Sequence, residues 1–286
     1  MLGHKLWQTC RLRFDTFVTV RDGFSTLSGH GIFDERRTLT GVRANDFDSV
    51  SQALRSTRPD VVVNCVGIVK QDAAAKDPIT SISINSLFPH QLAETCRGLN
   101  ARLIHLSTDC VFSGAKGNYS EADYADPQDM YGRTKLLGEV SGDNCLTIRT
   151  SMIGRELRGS HGLVEWFLAQ EGKQVKGFQR AIFSGFTTNA LARIIADIIE
   201  RIPDLRGVWH VSAESISKFD LLTLIKQTYG LDIEIAADES FVCDRSLDSS
   251  RFAAATGFQR PAWPEMIVEM HNDPTSYNSI RRSKIA

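Results

Sequence analysis

Five short runs in this 286-residue chain are apolar almost from end to end, and they constrain the fold more than any other feature. They are Phe17-Val-Thr-Val20, Asp60-Val-Val-Val-Asn-Cys-Val66, Arg102-Leu-Ile-His-Leu-Ser107, Cys145-Leu-Thr-Ile-Arg149 and Gly207-Val-Trp-His-Val-Ser212. A strand with one wet face alternates apolar and polar residues, whereas a strand covered on both faces has no polar side to show. The runs therefore predict a parallel sheet buried on both sides. Between them, residues 46–57, 85–99 and 133–140 carry helical periodicity. Such β-α-β-α alternation is the pattern of a doubly wound α/β fold.

Two later helices have defined ends. Leu191, Ile194, Ile195, Ile198, Ile199 and Ile202 recur at three- and four-residue spacing until Pro203 stops the run. Ser217 is placed to N-cap a helix through Leu221, Leu222 and Ile225, with Gly230 just past its end. The polar, basic stretch 272–286 is expected to fray.

Composition narrows the function classes. With 42% apolar residues the chain can bury a sizeable core, and 33 basic against 34 acidic residues leave a formal net charge of −1. No global field draws in nucleic acid or an anionic membrane, so the expected partner is a small molecule. Cys10, Cys65, Cys96, Cys110, Cys145 and Cys243 form no C-x-x-C pair and read as reduced thiols of a cytoplasmic protein. The seven histidines show neither H-x-x-x-H nor H-E-x-x-H spacing, so no metal centre is expected. There is no 18-residue apolar stretch and no basic-then-apolar leader, which disfavours membrane spanning and export.

The candidate chemistry lies in Tyr131-Gly-Arg-Thr-Lys135, 23 residues beyond Thr108 in Leu106-Ser-Thr-Asp109. On a helix, i and i+4 share a face, so a phenol and an ammonium can meet one ligand. Bringing a phenol from its reference value near 10 to about 7 takes roughly 4 kcal/mol, which a nearby buried cation can supply. Chance alone yields about 0.17 such pairs in a chain of this composition. Without Tyr131 downstream, Thr108 and Asp109 would read as a capped strand-to-loop turn.

Taken in order, four segments resemble a known family. Asn64-Cys-Val-Gly67 ends one strand, Ser107-Thr-Asp-Cys-Val-Phe-Ser-Gly114 ends the next, Tyr131-x-x-x-Lys135 opens a helix, and Ile148-Arg-Thr-Ser151 ends the strand after it. The chain resembles an extended short-chain dehydrogenase/reductase, most closely the dTDP-4-dehydrorhamnose reductase group, from Met1 to about Met270. The resemblance implies a Rossmann-type sheet in which Tyr131 protonates a carbonyl oxygen as hydride arrives. It also implies that Lys135 lowers the phenol's pKa and binds the nicotinamide ribose, while Thr108 hydrogen-bonds the same oxygen. A ketone accepting hydride develops alkoxide charge, which two hydroxyls and a cation would stabilise. Sugar-nucleotide dehydratases of the superfamily usually carry an Asp-Glu pair after this Thr; here Asp109 precedes Cys110, and without the second carboxylate the expectation is reduction. Relatives in the reductase group often have Tyr at the position of Cys110. A nucleophilic role for Cys110 is not expected, because no histidine base lies nearby in sequence.

On the cofactor side, Met1-Leu-Gly-His4 resembles the last part of the family's G-x-x-G-x-x-G turn. By family position Gly3, Asn64, Val66 and Gly67 would follow the dinucleotide, with Asp46 and Phe47 near adenine, although Asp46 also suits ordinary helix capping. The first strand of the motif is absent, so the expectation is a sheet lacking that strand and a chain that starts downstream of the full N-terminus. Arg21 stands where NAD-preferring relatives have an acidic residue, which favours NADP over NAD, with Asp22 beside it weighing the other way.

Substrate contacts are expected from Asp109, Cys110, Arg149 and Arg180, the last equally readable as a solvated charge. The stretch Asp244-Arg-Ser-Leu-Asp248 also resembles the family, with no role assigned. The domain division expected is 1–152 for the dinucleotide, with 187–212 returning to it, then 153–186 and 213–271 as a substrate lobe, and 272–286 as a tail. A homodimer is a candidate assembly. The expected activity is NADP-preferring reduction of a nucleotide-linked 4-keto-6-deoxysugar in polysaccharide precursor synthesis. The alternatives are a sugar-nucleotide epimerase and a non-catalytic dinucleotide-binding regulatory subunit.

Overall fold

In the computed structural model, which describes residues 1–69, 75 and 77–277, the four apolar runs from Asp60 onward become neighbouring strands. The chain opens with α1 (Leu2–Cys10), β1 (Val18–Thr19), the single turn α2 (Ser25–Ser28), β2 (Thr38–Leu39) and α3 (Phe47–Thr57). Next come β3 (Val61–Asn64), α4 (Pro78–Ile82), a π-helical turn (Ser83–Leu87), α5 (Phe88–Gly98), β4 (Arg102–Leu106), α6 (Met130–Leu137) and β5 (Cys145–Arg149). Beyond β5 lie β6 (Met152–Ile153), α7 (Leu163–Leu168), β7 (Gln174–Phe178), β8 (Ala181–Phe183), β9 (Phe186–Thr187) and α8 (Thr188–Arg201). The remainder is β10 (Gly207–His210), β11 (Ile216–Ser217), α9 (Lys218–Tyr229), β12 (Glu234–Asp238), β13 (Cys243–Asp244), α10 (Ser250–Thr256) and α11 (Trp263–His271).

The principal sheet has the order β10-β5-β4-β3, all parallel. Its strands feed two cores, because successive side chains leave opposite faces. Ile104, Leu106, Leu146 and Ile148 pack with Leu2 and Leu6 of α1 and with Leu191, Ile195 and Ile198 of α8. Leu103 and Cys145 face the other way, against Val50 and Leu54 of α3 and Phe88, Leu92 and Cys96 of α5. Burying each such Leu, Ile or Phe is worth about 1.5–3 kcal/mol, so both helical layers hold the sheet. The fold is a doubly wound α/β sheet of Rossmann type.

The first apolar run behaves differently from expectation. Among the described residues, Val18 and Thr19 pair only with β2, and Phe17 is 40% exposed, so this strand is not covered on both faces. Nor, among those residues, does a ladder join β1 or β2 to the four-stranded sheet, and β3 is that sheet's outer strand. Val61, Val62 and Val63 are accordingly only half-buried despite their fully apolar pattern.

Helix ends follow their caps. The helix expected from Asn85 begins earlier, at Pro78, because the Asp77 carboxylate accepts from Ile79 N–H and Thr80 N–H and Pro78 opens the first turn. The helix expected over 133–140 likewise starts at Met130, where Asp129 accepts from Gly132 N–H at 2.8 Å. Thr187 caps α8 and Ser217 caps α9, and Gly230 ends α9 with φ 66°. No helix among the described residues is long and apolar enough to cross a membrane.

Residues 272–277 are docked where the sequence suggests fraying. Lys5 Nζ meets Asp273 Oδ2 at 2.5 Å and donates to Thr275 Oγ1 at 3.0 Å, while His4 Nε2 lies 2.9 Å from the Tyr277 hydroxyl. The polarity that suggested a solvated tail is matched group for group by α1. Residues 278–286 of that stretch lie outside the described residues.

Candidate active site

Thr108 and Asp109 are buried at the carboxyl end of β4, with the Thr108 side chain capping the short helical turn Asp109–Val111. Thr108 Oγ1 accepts from Cys110 N–H at 3.2 Å and donates to Asp109 Oδ1 at 3.1 Å. Tyr131, in the first turn of α6, places its phenol close enough to the Thr108 hydroxyl for that hydroxyl to act on its proton affinity. The close approach depends on Gly132. A Cβ there would lie 2.2 Å from the Cys110 carbonyl oxygen and 2.9 Å from Pro127 Cβ, so only glycine lets α6 reach the turn. Gly132→Ala is expected to cost about 1–3 kcal/mol by overpacking and to move the phenol off Thr108. An unchanged urea midpoint would show that the helix needs no such approach.

The electrostatics differ from the expected lowering of the phenol. Burial pushes Tyr131 well above the usual tyrosine range, and Cys110, Asp109 and Asp129 add to it against the effect of the Thr108 hydroxyl. Lys135 is itself almost fully buried, and its Nζ is directed at the Leu106 carbonyl, 2.7 Å away, and at His105 Nε2, 3.4 Å away. Desolvation brings this lysine down to about 8, with Glu139 and Cys65 acting the other way.

Asp109 is held above the usual carboxylate range by burial, opposed by Arg245, by hydrogen bonds with Cys110 and Thr108, and by Lys218. Burial likewise pushes the Cys110 thiol up to about 12, so it is a thiol at neutral pH. Neither cation was legible as a site residue. Lys218 is the first residue of α9, with Nζ 4.2 Å from the Phe183 ring centroid and facing Asp109, Cys110 and Cys243. Arg245 donates through Nε to Phe112 O at 2.9 Å and places Nη1 3.8 Å from Cys110 Sγ. The sheet β11-β8-β13 brings both to Asp109 from far along the chain, and the only signal in sequence was the segment Asp244–Asp248.

Arg149 is held by protein partners. Its Nε and Nη2 grip Glu139 at 2.8 and 2.7 Å, Nη1 lies 3.3 Å from His210 Nε2, and the guanidinium sits 5.3 Å over the Phe112 ring. With side chains 10% and 8% exposed, this bidentate pair is locked beneath the site, where a buried charge needs its partner. Glu139 also accepts from Ser107 Oγ at 2.6 Å, so Arg149 braces the end of β4. Arg180 stands exposed in the turn between β7 and β8, and none of its contacts ties it to Thr108 or Tyr131.

Of the expected cofactor residues, Asn64, Val66 and Gly67 lie together at the carboxyl end of β3. Asn64 is buried, Val66 is 45% exposed, and Gly67 backs onto Asn85, whose amide clips both Ile68 N–H and Ile68 O. Asn85 sits in the π-helical turn, a recurrent feature of functional sites that its sequence did not announce. Gly3 faces open space in the first turn of α1, and Arg21 is exposed beside β1. Asp46 occupies the N-cap position of α3 without a side-chain cap bond, so capping does not occupy its carboxylate. Phe47 packs edge-on against Phe88 at 6.1 Å, and so contributes to the core.

The sequence profile of the RmlD substrate binding domain family matches residues 34–275. The chain belongs to that family. It is a member of the dTDP-4-dehydrorhamnose reductase group of the extended short-chain dehydrogenase/reductase superfamily. It is 30% identical over 199 residues to the spore coat polysaccharide biosynthesis protein SpsK of Bacillus subtilis, covering 66% of this chain and 68% of that protein. To the dTDP-4-dehydrorhamnose reductase of Sinorhizobium fredii it is 29% identical, over 57% of this chain and 59% of that one. The chain thus spans about three fifths to two thirds of these curated relatives' length. Its fold is similar to that of the Bacillus anthracis dTDP-4-dehydrorhamnose reductase solved with NADP, with TM-score 0.72 and 21% identity over 89% of this chain and 97% of that one.

Proposed function

We propose that this chain reduces a nucleotide-linked 4-keto-6-deoxysugar with a preference for NADP, in the synthesis of a polysaccharide precursor. The observation that carries the reading is the pairing of the buried Thr108 hydroxyl with the half-buried Tyr131 phenol, beside a single carboxylate, Asp109, followed by Cys110. A second carboxylate would serve elimination; a pair of hydroxyls serves a carbonyl oxygen that becomes an alkoxide. Tyr131, kept protonated by burial, gives its proton to that oxygen. Thr108 turns its hydroxyl from Asp109 to the same oxygen, and the Asp109 carboxyl, disfavoured as a charge, tolerates the exchange. Lys218 and Arg245 place positive charge beside Asp109, suited to the diphosphate of a sugar nucleotide.

The residues fit a nicotinamide dinucleotide. The exposed Val66 just past β3, the open space at Gly3 and the buried amino group of Lys135 are the features that would receive it. When bound, the dinucleotide supplies the hydride; Lys135 would hold its ribose and Arg21 its 2′-phosphate. The names of the relatives and the NADP in the Bacillus anthracis structure support this reading.

The test is a screen of 4-keto-6-deoxysugar nucleotides with NADPH and NADH. The expected result is stoichiometric consumption of NADPH, faster than of NADH. Product formed without net NADPH consumption would replace the reading with epimerisation, and dinucleotide binding without turnover of any sugar would replace it with a regulatory role.

A further inference from the structure

Asn64 and His105 stand opposite each other in the β3–β4 ladder, so their side chains leave the same face of the sheet. That face is the one from which Lys135 of α6 reaches inward. The hydrogen bonds there permit one arrangement of protons. Val66 N–H donates to Asn64 Oδ1 at 3.0 Å, which fixes the orientation of the amide and turns Nδ2 toward His105 Nδ1, also at 3.0 Å. Nδ1 is therefore an acceptor. Burial holds His105 well below the usual histidine range, so the ring is neutral and its one proton sits on Nε2. Nε2 in turn faces Lys135 Nζ at 3.4 Å. Two N–H donors cannot satisfy each other, and the contact becomes a hydrogen bond only when Lys135 is an amine that accepts from Nε2–H.

We propose that Asn64 fixes His105 as its Nε2–H tautomer, and that His105 is a positioning residue through which the β3–β4 ladder biases Lys135 toward the neutral amine. The proposal deepens the reading of Lys135 as part of the reductase site and rests on it for its meaning, but its test needs neither cofactor nor sugar. The other groups facing Lys135 are Glu139, two residues past the end of α6, and Cys65 just after β3, both of which favour the ammonium. His105 is also faced by His90 from α5. The ladder thus opposes Glu139 and Cys65. The balance places the charge change of Lys135 close to neutrality, so a ligand that accepts hydrogen bonds from Nζ can recharge it.

The experiment is long-range nitrogen–proton NMR of histidine-labelled full chain without ligand. The expected spectrum has His105 protonated on Nε2 at neutral pH; a proton on Nδ1 would overturn the proposal. In Asn64→Asp, the carboxylate still accepts from Val66 N–H and now also accepts from Nδ1–H. The tautomer should reverse, Nε2 should accept from the ammonium, and the Lys135 Cε signal should titrate about one pH unit or more higher. Adding His105→Leu to that variant separates the tautomer from the bare charge, and most of the shift should vanish. A reversed tautomer with an unmoved lysine titration would sink the role assigned to His105. If the variants do not fold, the tautomer of the unaltered chain decides alone. Loss of reductase activity on every sugar tested, with the Nε2–H tautomer present, would overturn the function and leave this inference standing.

Discussion

Tyr131→Phe is expected to lower turnover of the ketosugar nucleotide by about a hundred- to ten-thousand-fold, the range for removing a positioned general acid. Stability should change by no more than about 1 kcal/mol, since the lost hydroxyl leaves Thr108 still bonded to Asp109 and to Cys110 N–H. Steady-state kinetics beside a thermal melt separates the two effects, and turnover within tenfold of the parent chain would remove Tyr131 from the role of proton donor. The pH dependence has a defined sign. Because Tyr131 is raised above its usual range, it keeps its proton throughout the neutral region and contributes no limb there. Lys135 is the group that changes charge near neutrality, at about 8, so any contribution of its ammonium is present below that value and is lost as pH rises through it.

Asp273→Ala is expected to destabilise the chain by about 3–5 kcal/mol, the cost of leaving one member of a buried ion pair alone. Lys5 and Asp273 have side chains only 5% and 6% exposed. The shifts of the two partners carry opposite meanings. Burial lowers Lys5 despite Asp273, so its ammonium is strained; at Asp273 burial acts upward, but hydrogen bonds from Lys5, Thr275 and Asn189 outweigh it and bring the carboxyl to about 2. Several donors converge on the Asp273 carboxylate and hold it ionised. A depressed acid stabilises the folded state fully above its unfolded value of 3.8 and loses that contribution as pH falls toward 2. Denaturant titrations of parent and variant at neutral pH should therefore differ by several kcal/mol, and the gap should narrow only below about pH 4. Equal midpoints at pH 7 would mean that residues 272–277 do not clasp α1.

The strands of the principal sheet were legible because a run such as Leu103-Ile-His-Leu106 has no face to offer water, and burial on both sides is its only comfortable state. Ser217 and Gly230 were legible for a local reason, since a cap satisfies backbone groups within its own turn. The partner of Arg149 was not legible, because a charged residue at the end of a strand looks the same whether or not a buried carboxylate waits for it; Glu139 lies on the far side of a turn. Lys218, Arg245 and His105 escaped notice for the same reason. Their surroundings are made by tertiary pairing of β4, β8, β11 and β13, and no periodicity in the chain encodes which side chains that pairing will bring together. The segment Phe17–Val20 erred the other way, its apolar pattern promising more cover than a two-residue ladder with β2 provides.

Leu106 answers to two masters. Its side chain belongs to the core shared with α1 and α8, while its carbonyl oxygen accepts from Lys135. A sequence library scored only on folding would accept Met or Ile at 106 with little penalty, since either keeps the volume. The same library scored on chemistry would be stricter there, because a small displacement of the strand moves the lysine's acceptor while every named site side chain stays in place. Position 106 should therefore mark where a map of tolerated substitutions for stability and a map for activity part company, at a residue whose side chain lies in the core.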